Sequence, residues 1–236
     1  SHMSGHNLQV YAGMIASLDR SVGKIIGKLK DLNIYGKTMI IFTSDNGGAN
    51  YIELEDINKP FRGWKISFFE GGIRVPFIVS WPDKISPGLT SNSAVHHFDI
   101  FPTIVSATKT TTSNKKELDG VNLLPYIKKE NSDEPHETLF WRSGNHQSVL
   151  HKKWKYIVSK KENKSWLFDT SVDPLEKNNL IESHPKEAQK IEELLVQFNS
   201  EQKEPLFPSA FEAPIMIDKY DGQAYEEGDE YIYWSN

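Results

Sequence analysis

The chain contains no cysteine. That excludes disulfides, thiolate metal sites and a cysteine nucleophile within it. It says little about compartment, since exported proteins need not carry disulfides. A basic surplus is also missing: the 236 residues carry a net charge of −5, so nothing is spare to neutralise the phosphates of a nucleic-acid partner. No apolar run approaches membrane-spanning length. No secretory leader opens the chain, and no internal repeat runs through it. Ser1–His2–Met3 reads as a cloning remnant, so the natural start and any signal peptide are not visible. The length admits one large domain, or a domain with an appendix, and a sizeable core in either case.

What is present is organised around Met39–Ile40–Ile41–Phe42–Thr43–Ser44–Asp45–Asn46–Gly47–Gly48. An unbroken apolar run ends in a carboxylate, a carboxamide and two glycines. Without alternation, the run predicts a strand buried on both faces, as in a parallel sheet covered by helices. Ligands in such sheets sit at the carboxyl ends of strands. Asp45 and Asn46 fall there and offer hard oxygens, which suit Ca²⁺ or Mg²⁺ better than a soft metal. An EF-hand loop starting at Asp45 fails, because Gly47 and Ala49 would occupy ligand positions. A plain strand-end loop is the competing reading.

Ahead of this stretch, apolar residues from Val10 to Leu32 recur at helical spacing, interrupted by Gly13, Gly23 and Gly27, and Asn33 and Gly36 end the helix. Behind it, 51–60 reads as loop. Phe61–Pro76 is basic, aromatic and glycine-punctuated; Lys65 within it could meet an oxyanion as a compact point charge, although a lone lysine is ordinarily a surface residue. A second buried strand covers 75–81. Val95–Val105 opens a short helix, with Pro102 in its first turn. Its neighbours His96 and His97 point apart on an extended backbone, so one ion cannot easily take both; packing is the default for each. A Thr/Lys/Ser-rich loop spans 108–116. Beyond the charged stretch near Lys128–Glu134 come strand-like runs at Thr138–Trp141, Gln147–Leu150, Trp154–Val158 and Ser165–Phe168. Gly144–Asn145 and Lys152–Lys153 look like turns between them, and a helix follows Pro185. The expected fold class is α/β: part of a mixed, largely parallel sheet flanked by helices, plus a small C-terminal antiparallel sheet with one helix. The expected divisions are 4–130, 131–204 and a tail over 205–236. That tail is acidic and aromatic and is expected to wrap the protein as an extended arm; a sugar-stacking surface is an alternative.

Several segments in order resemble the C-terminal part of the type I sulfatases, the arylsulfatase family of the alkaline phosphatase superfamily. They are Tyr11–Ala12–Gly13–Met14–Ile15 with Leu18–Asp19, Phe42–Gly48, Phe69–Glu70–Gly71–Gly72–Ile73–Arg74–Val75–Pro76, Asp99 with Pro102–Thr103, Trp154–Lys155–Tyr156, and Leu167–Phe168–Asp169 with Asp173–Pro174 and Asn179–Leu180. The resemblance covers most of 8–200. It implies a Ca²⁺-dependent sulfuric ester hydrolase, with Mg²⁺ the less suited ion. It makes Asp45 and Asn46 the later pair of metal ligands and Lys65 the catalytic lysine that contacts the sulfate. His97 becomes a weaker substrate contact, and Glu70 and Arg74 become residues that hold the turn. The implied substrate is a sulfated carbohydrate or an aryl sulfate, and the implied home of the full-length member is periplasmic or secreted.

The departures are as informative. The family's nucleophile is a formylglycine made from Cys or Ser in a Cys/Ser-x-Pro/Ala-x-Arg pattern, and no residue of this chain has that context. The family's earlier aspartate ligands are missing too. The expectation is a fragment holding half a metal site and one arm of an anion site, inactive alone, with exposed core surface that favours self-association. The alternatives are a phosphodiesterase or phosphonate hydrolase on the same scaffold, and a non-catalytic module that binds glycan or a partner chain.

Overall fold

The computed structural model describes residues 5–111, 117–204, 206–207 and 209–235. Ser1–His2–Met3, the expected cloning remnant, and residues 112–116 of the expected loop lie outside the described residues. The chain divides into two units, one of 1–21, 42–77 and 138–236 and the other of 22–41 and 78–137. Helix α1 (His6–Asp31) and strands β1 (Ile40–Thr43) and β2 (Phe77–Ser80) supply residues to both.

α1 starts earlier than the periodicity places it. It ends before Asn33, which takes the left-handed conformation at φ 55°. None of its residues is buried, and Val10, Met14, Ile15, Leu18 and Ile25 are exposed. β1 corrects an expectation. Its apolar run predicts burial on both faces, yet Phe42 is exposed and the other three residues are half-buried. The reason is that among the described residues β1 pairs with β2 alone, whose Ile78 is also exposed. A run of apolar residues reports a capacity for burial, not the layers that are there.

In the first unit, the one-turn helix α2 (Glu70–Ile73) is followed by β3 (Thr138–Ser143), β4 (His146–His151), β5 (Trp154–Ser159) and β6 (Lys164–Asp169), which form an antiparallel meander. Helix α5 (Pro185–Glu201) covers one face, with Pro185 in its first turn. Alternation then decides what each residue meets. Val149, Tyr156 and Leu167 point to α5 and pack on Ala188, Ile191 and Leu195. Their neighbours Ile157, Trp166 and Phe168 point the other way and pack on Phe69, Ile217 and Ile232. Both faces of the sheet are therefore buried, one by a helix and one by a loop and the tail. The tail does not wrap as a single arm: β7 (Glu212–Met216) and β8 (Tyr231–Ser235) pair antiparallel into a ribbon. Ile215, Ile217 and Ile232 give that ribbon one apolar side, which closes the second core.

The second unit holds α3 (Ile100–Thr108) and the short α4 (Leu124–Ile127). Before α3, residues 97–99 make a 3₁₀ turn. Asp99, fully buried, accepts hydrogen bonds from the His96 N–H (2.7 Å) and the Val121 N–H (2.9 Å) and meets His136 Nε2 at 2.8 Å. One carboxylate thus ties the 96–103 segment to the 120–124 loop, a link that Thr103 repeats by accepting the Leu123 N–H.

Candidate functional site

Asp45 and Asn46 follow β1 by one residue. Asp45 Oδ1 accepts the Asn46 N–H at 3.0 Å, and Ser44 Oγ donates to the Asn46 carbonyl at 2.8 Å, so the turn is closed locally. Among the described residues no hydrogen bond engages Asp45 Oδ2 or Asn46 Oδ1. Two hard oxygens are therefore available to a cation such as Ca²⁺, against the about six to eight that Ca²⁺ takes. No cluster of three or more His, Asp or Glu suited to a metal occurs among the described residues. The donor type fits the ion; the donor count supplies part of its shell.

The backbone after Asn46 runs directly against the 62–72 segment. Gly47 N–H donates to the Gly72 carbonyl (2.9 Å), and Lys65 N–H donates to the Gly48 carbonyl (2.9 Å). A Cβ on Gly47 would lie 1.7 Å from the Gly71 carbonyl oxygen, so only glycine permits this approach. Lys65 sits in a tight turn in which Ser67 N–H donates to the Trp64 carbonyl (3.0 Å). The turn's third residue, Ile66, has φ 77°. Glycine is usual at such a place, and a β-branched residue there stores about 1–3 kcal/mol of strain. The Ser67 hydroxyl holds the turn shut, accepting the Trp64 N–H (3.1 Å) and donating to the Trp64 carbonyl (2.9 Å). Among the described residues the Lys65 ammonium makes no ion pair.

Two further groups, which sequence reasoning did not single out, anchor this segment to the sheet. His146 Nε2 accepts the Phe68 N–H (3.1 Å), and its ring stacks on Phe68 at 4.7 Å. That bond leaves the proton on Nδ1. Burial, with a smaller contribution from the Lys155 charge, lowers the imidazole to about 3, against the pull of the Val158 carbonyl. Lys155, fully buried, lies 2.6 Å from Glu70 Oε1 and 2.7 Å from Glu176 Oε1. Glu176 Oε2 accepts the Glu70 N–H (2.6 Å). Burial alone would raise the Glu70 carboxyl, but Lys155 and Arg74 outweigh it and hold it below the usual range. Burial raises Glu176, beyond what Lys155 can offset. Burial opposes the Lys155 charge, and the two carboxylates more than restore it. Arg74 completes the turn, 3.3 Å from Glu70 Oε2 and above the Phe61 ring at 4.8 Å. The signal was parity: Lys155 and Ile157 share a strand face, and that face meets Phe69–Glu70.

His97 belongs to the second unit, where it opens the 3₁₀ turn and lies edge-on to the His96 ring at 5.9 Å. His96 caps that turn: its Nδ1 accepts the Phe98 N–H, and its ring stacks on Phe98 at 4.0 Å. Burial and the neighbouring His97 lower its imidazole.

Two clefts open in the first unit. One, of about 430 Å³, is lined by Arg62, Trp64, Asp218 and Glu230. Its central cation is already committed, since Arg62 pairs with both Asp218 and Glu230 and covers the Phe69 ring. The other, of about 420 Å³, is lined by Lys65 together with Asn50, Tyr51, Phe211, Asp221 and Trp234. Its Lys65 ammonium, without an ion pair among the described residues, suits it to an anionic ligand.

Comparison with known proteins adds the following. The family described as Sulfatase matches residues 2–110, and the family described as N-sulphoglucosamine sulphohydrolase, C-terminal, matches 63–204. Human steryl-sulfatase is 29% identical over 182 residues, 74% of this chain and 31% of the relative. N-acetylgalactosamine-6-sulfatase of Sus scrofa is 38% identical over 117 residues, 49% of this chain and 22% of the relative. The solved structure of Ps i-CgsB in complex with k-i-k-neocarrahexaose is 26% identical with a TM-score of 0.77, covering 87% of this chain and 46% of that one. The chain thus spans less than half the length of each of these proteins.

Proposed function

The chain belongs to the sulfatase family, and on that premise we propose that it carries the later metal-ligand pair and the sulfate-contacting lysine of a sulfuric ester hydrolase. Asp45 Oδ2 and Asn46 Oδ1 would hold a Ca²⁺ ion, whose charge would stabilise the negative charge that S–O cleavage develops. Lys65 binds a peripheral sulfate oxygen as a fixed point charge. His97 enters as a substrate contact by resemblance alone. The substrate class is a sulfated carbohydrate, in keeping with the N-acetylgalactosamine-6-sulfatase relative and the neocarrahexaose complex.

One observation carries the reading. Lys65, unpaired among the described residues, is held by its own backbone against Gly48, two residues from Asn46, in a turn strained at Ile66. The test is calorimetric titration of the chain with inorganic sulfate and, separately, with Ca²⁺. Lys65→Ala should abolish sulfate binding and leave Ca²⁺ binding in place, and Asp45→Ala should do the reverse. Sulfate binding that is indifferent to Lys65 would overturn the assignment.

A further inference from the structure

The tail ribbon does more than close the second core. Residues of one strand face recur every second position. On β8 the face that buries Ile232 next carries Trp234; on β7 the same face carries Ile215 and Ala213. Trp234 lies opposite the small Ala213 in the register. The core cluster reaches Ile215 and Ile232, and the cleft that holds Lys65 is lined by Ile215, Ala213 and Trp234. Phe211 stands edge-on to Trp234 at 6.2 Å, and both Phe211 and Tyr51 are exposed. The polar lining is equally specific. Asn50, buried, donates from Nδ2 to Asp221 Oδ1 at 3.0 Å, which fixes that carboxylate. Asp221 makes no ion pair among the described residues, and neither does Lys65. One cleft therefore offers three aromatic faces, an oriented acceptor and an uncommitted cation. Its volume of about 420 Å³ falls within the range of about 300–1,000 Å³ typical of small-ligand sites.

We propose that this cleft is a carbohydrate subsite: a sugar ring of the substrate lays its C–H face on Trp234 and Tyr51 and donates a hydroxyl to Asp221, while its sulfate meets Lys65. The aromatic ring face is negative and the C–H bonds are its complement. The carboxylate needs a neutral donor because the cleft's cation is turned to sulfate. The subsite deepens the sulfatase reading and rests on it for the sulfate contact alone.

The test titrates the full chain calorimetrically with three probes: inorganic sulfate, sulfated carrageenan and chondroitin oligosaccharides, and the same oligosaccharides after desulfation. At least one sulfated oligosaccharide should bind tenfold or more tightly than inorganic sulfate. Trp234→Ala, Tyr51→Ala and Asp221→Asn should each remove most of that advantage with the inorganic-sulfate affinity unchanged. Trp234→Phe should retain it, which separates loss of stacking from loss of folding. Lys65→Ala should weaken sulfate and sulfated probes alike while leaving desulfated ones as they were. Sulfated oligosaccharides that bind no tighter than sulfate, or a tenfold advantage that survives Trp234→Ala, would overturn the subsite. Desulfated sugar that binds through Trp234 while sulfate ignores Lys65 would overturn only the sulfate reading.

Discussion

Lys155 shows how much a single buried charge can decide. Its ammonium is shared by Glu176, fully buried like Lys155 itself, and by Glu70, which keeps an edge towards solvent. Removing one partner of a buried ion group leaves the others unpaired, at a cost of about 3–5 kcal/mol. Lys155→Met, close in volume, should therefore lower stability by that amount at pH 7 in chemical denaturation. Lys153→Met supplies the contrast: Lys153 is paired with Asp169 at 2.6 Å but is half exposed, so its loss should cost within about 1 kcal/mol. Equal losses for the two variants would refute the buried network as an anchor. His146 makes a pH-dependent case. The unfolded chain takes up the imidazole proton near about 6.5, whereas the folded chain resists until about 3. Between those values the unfolded state binds more protons, so the stability present above the unfolded value is lost as pH falls. From pH 7 to pH 5 the wild type should lose about 2 kcal/mol more than His146→Gln, which has no titrating ring. Parallel pH profiles for the two proteins would show that His146 is not held neutral.

At the scale of elements, two kinds of glycine behave oppositely. Gly47 stands where the Asp45–Asn46 turn touches the 62–72 segment, and a Cβ there meets backbone. Gly47→Ala should cost about 1–3 kcal/mol or more, and the Lys65 amide resonance should shift as its bond to Gly48 is disturbed. Gly13 lies inside α1 with nothing within 4 Å of a built Cβ. Gly13→Ala should instead stabilise the helix by about 0.5–1 kcal/mol; a loss of stability there would mean that α1 packs closely against something. Much at this scale was legible in the sequence. The four strands after Thr138, the turns at Gly144 and Lys152, both at positive φ, and the helix after Pro185 follow from alternation and punctuation, which are local. Asp45 and Asn46 were visible because an apolar run stops at them. What stayed hidden was pairing at a distance. Nothing near Lys155 says that Glu70, 85 positions away, will meet it, and nothing in the aromatic tail says that its two halves pair. Burial of β1 was overestimated for the same reason, since composition cannot count the layers packed on a strand.

For the whole molecule, the proposed roles leave an imbalance between binding groups and reacting groups. The chain offers two side-chain oxygens to a cation, one unpaired ammonium to an anion and an aromatic cleft beside it. Cleaving a sulfate ester through a covalent intermediate requires a nucleophile activated by its surroundings. The chain has no cysteine, and no serine in the context that formylglycine needs. Ca²⁺ binding should also be weak, though measurable, because two ligands fall well short of the about six to eight oxygens the ion takes. Binding that holds ground state and transition state alike does not raise the rate of the chemical step. The purified chain should therefore show no turnover of a chromogenic aryl sulfate at millimolar Ca²⁺, above the level left by Asp45→Ala. Exposed apolar residues along α1, and at Phe42 and Ile78, give the chain a route to self-association. Sedimentation should accompany the assay, because an assembly of chains is the one state in which ligands from several copies could meet. Turnover that depends on both Asp45 and Lys65 would mean that a nucleophile operates here without the formylglycine context, and would overturn the division between a binding half and a missing reacting half.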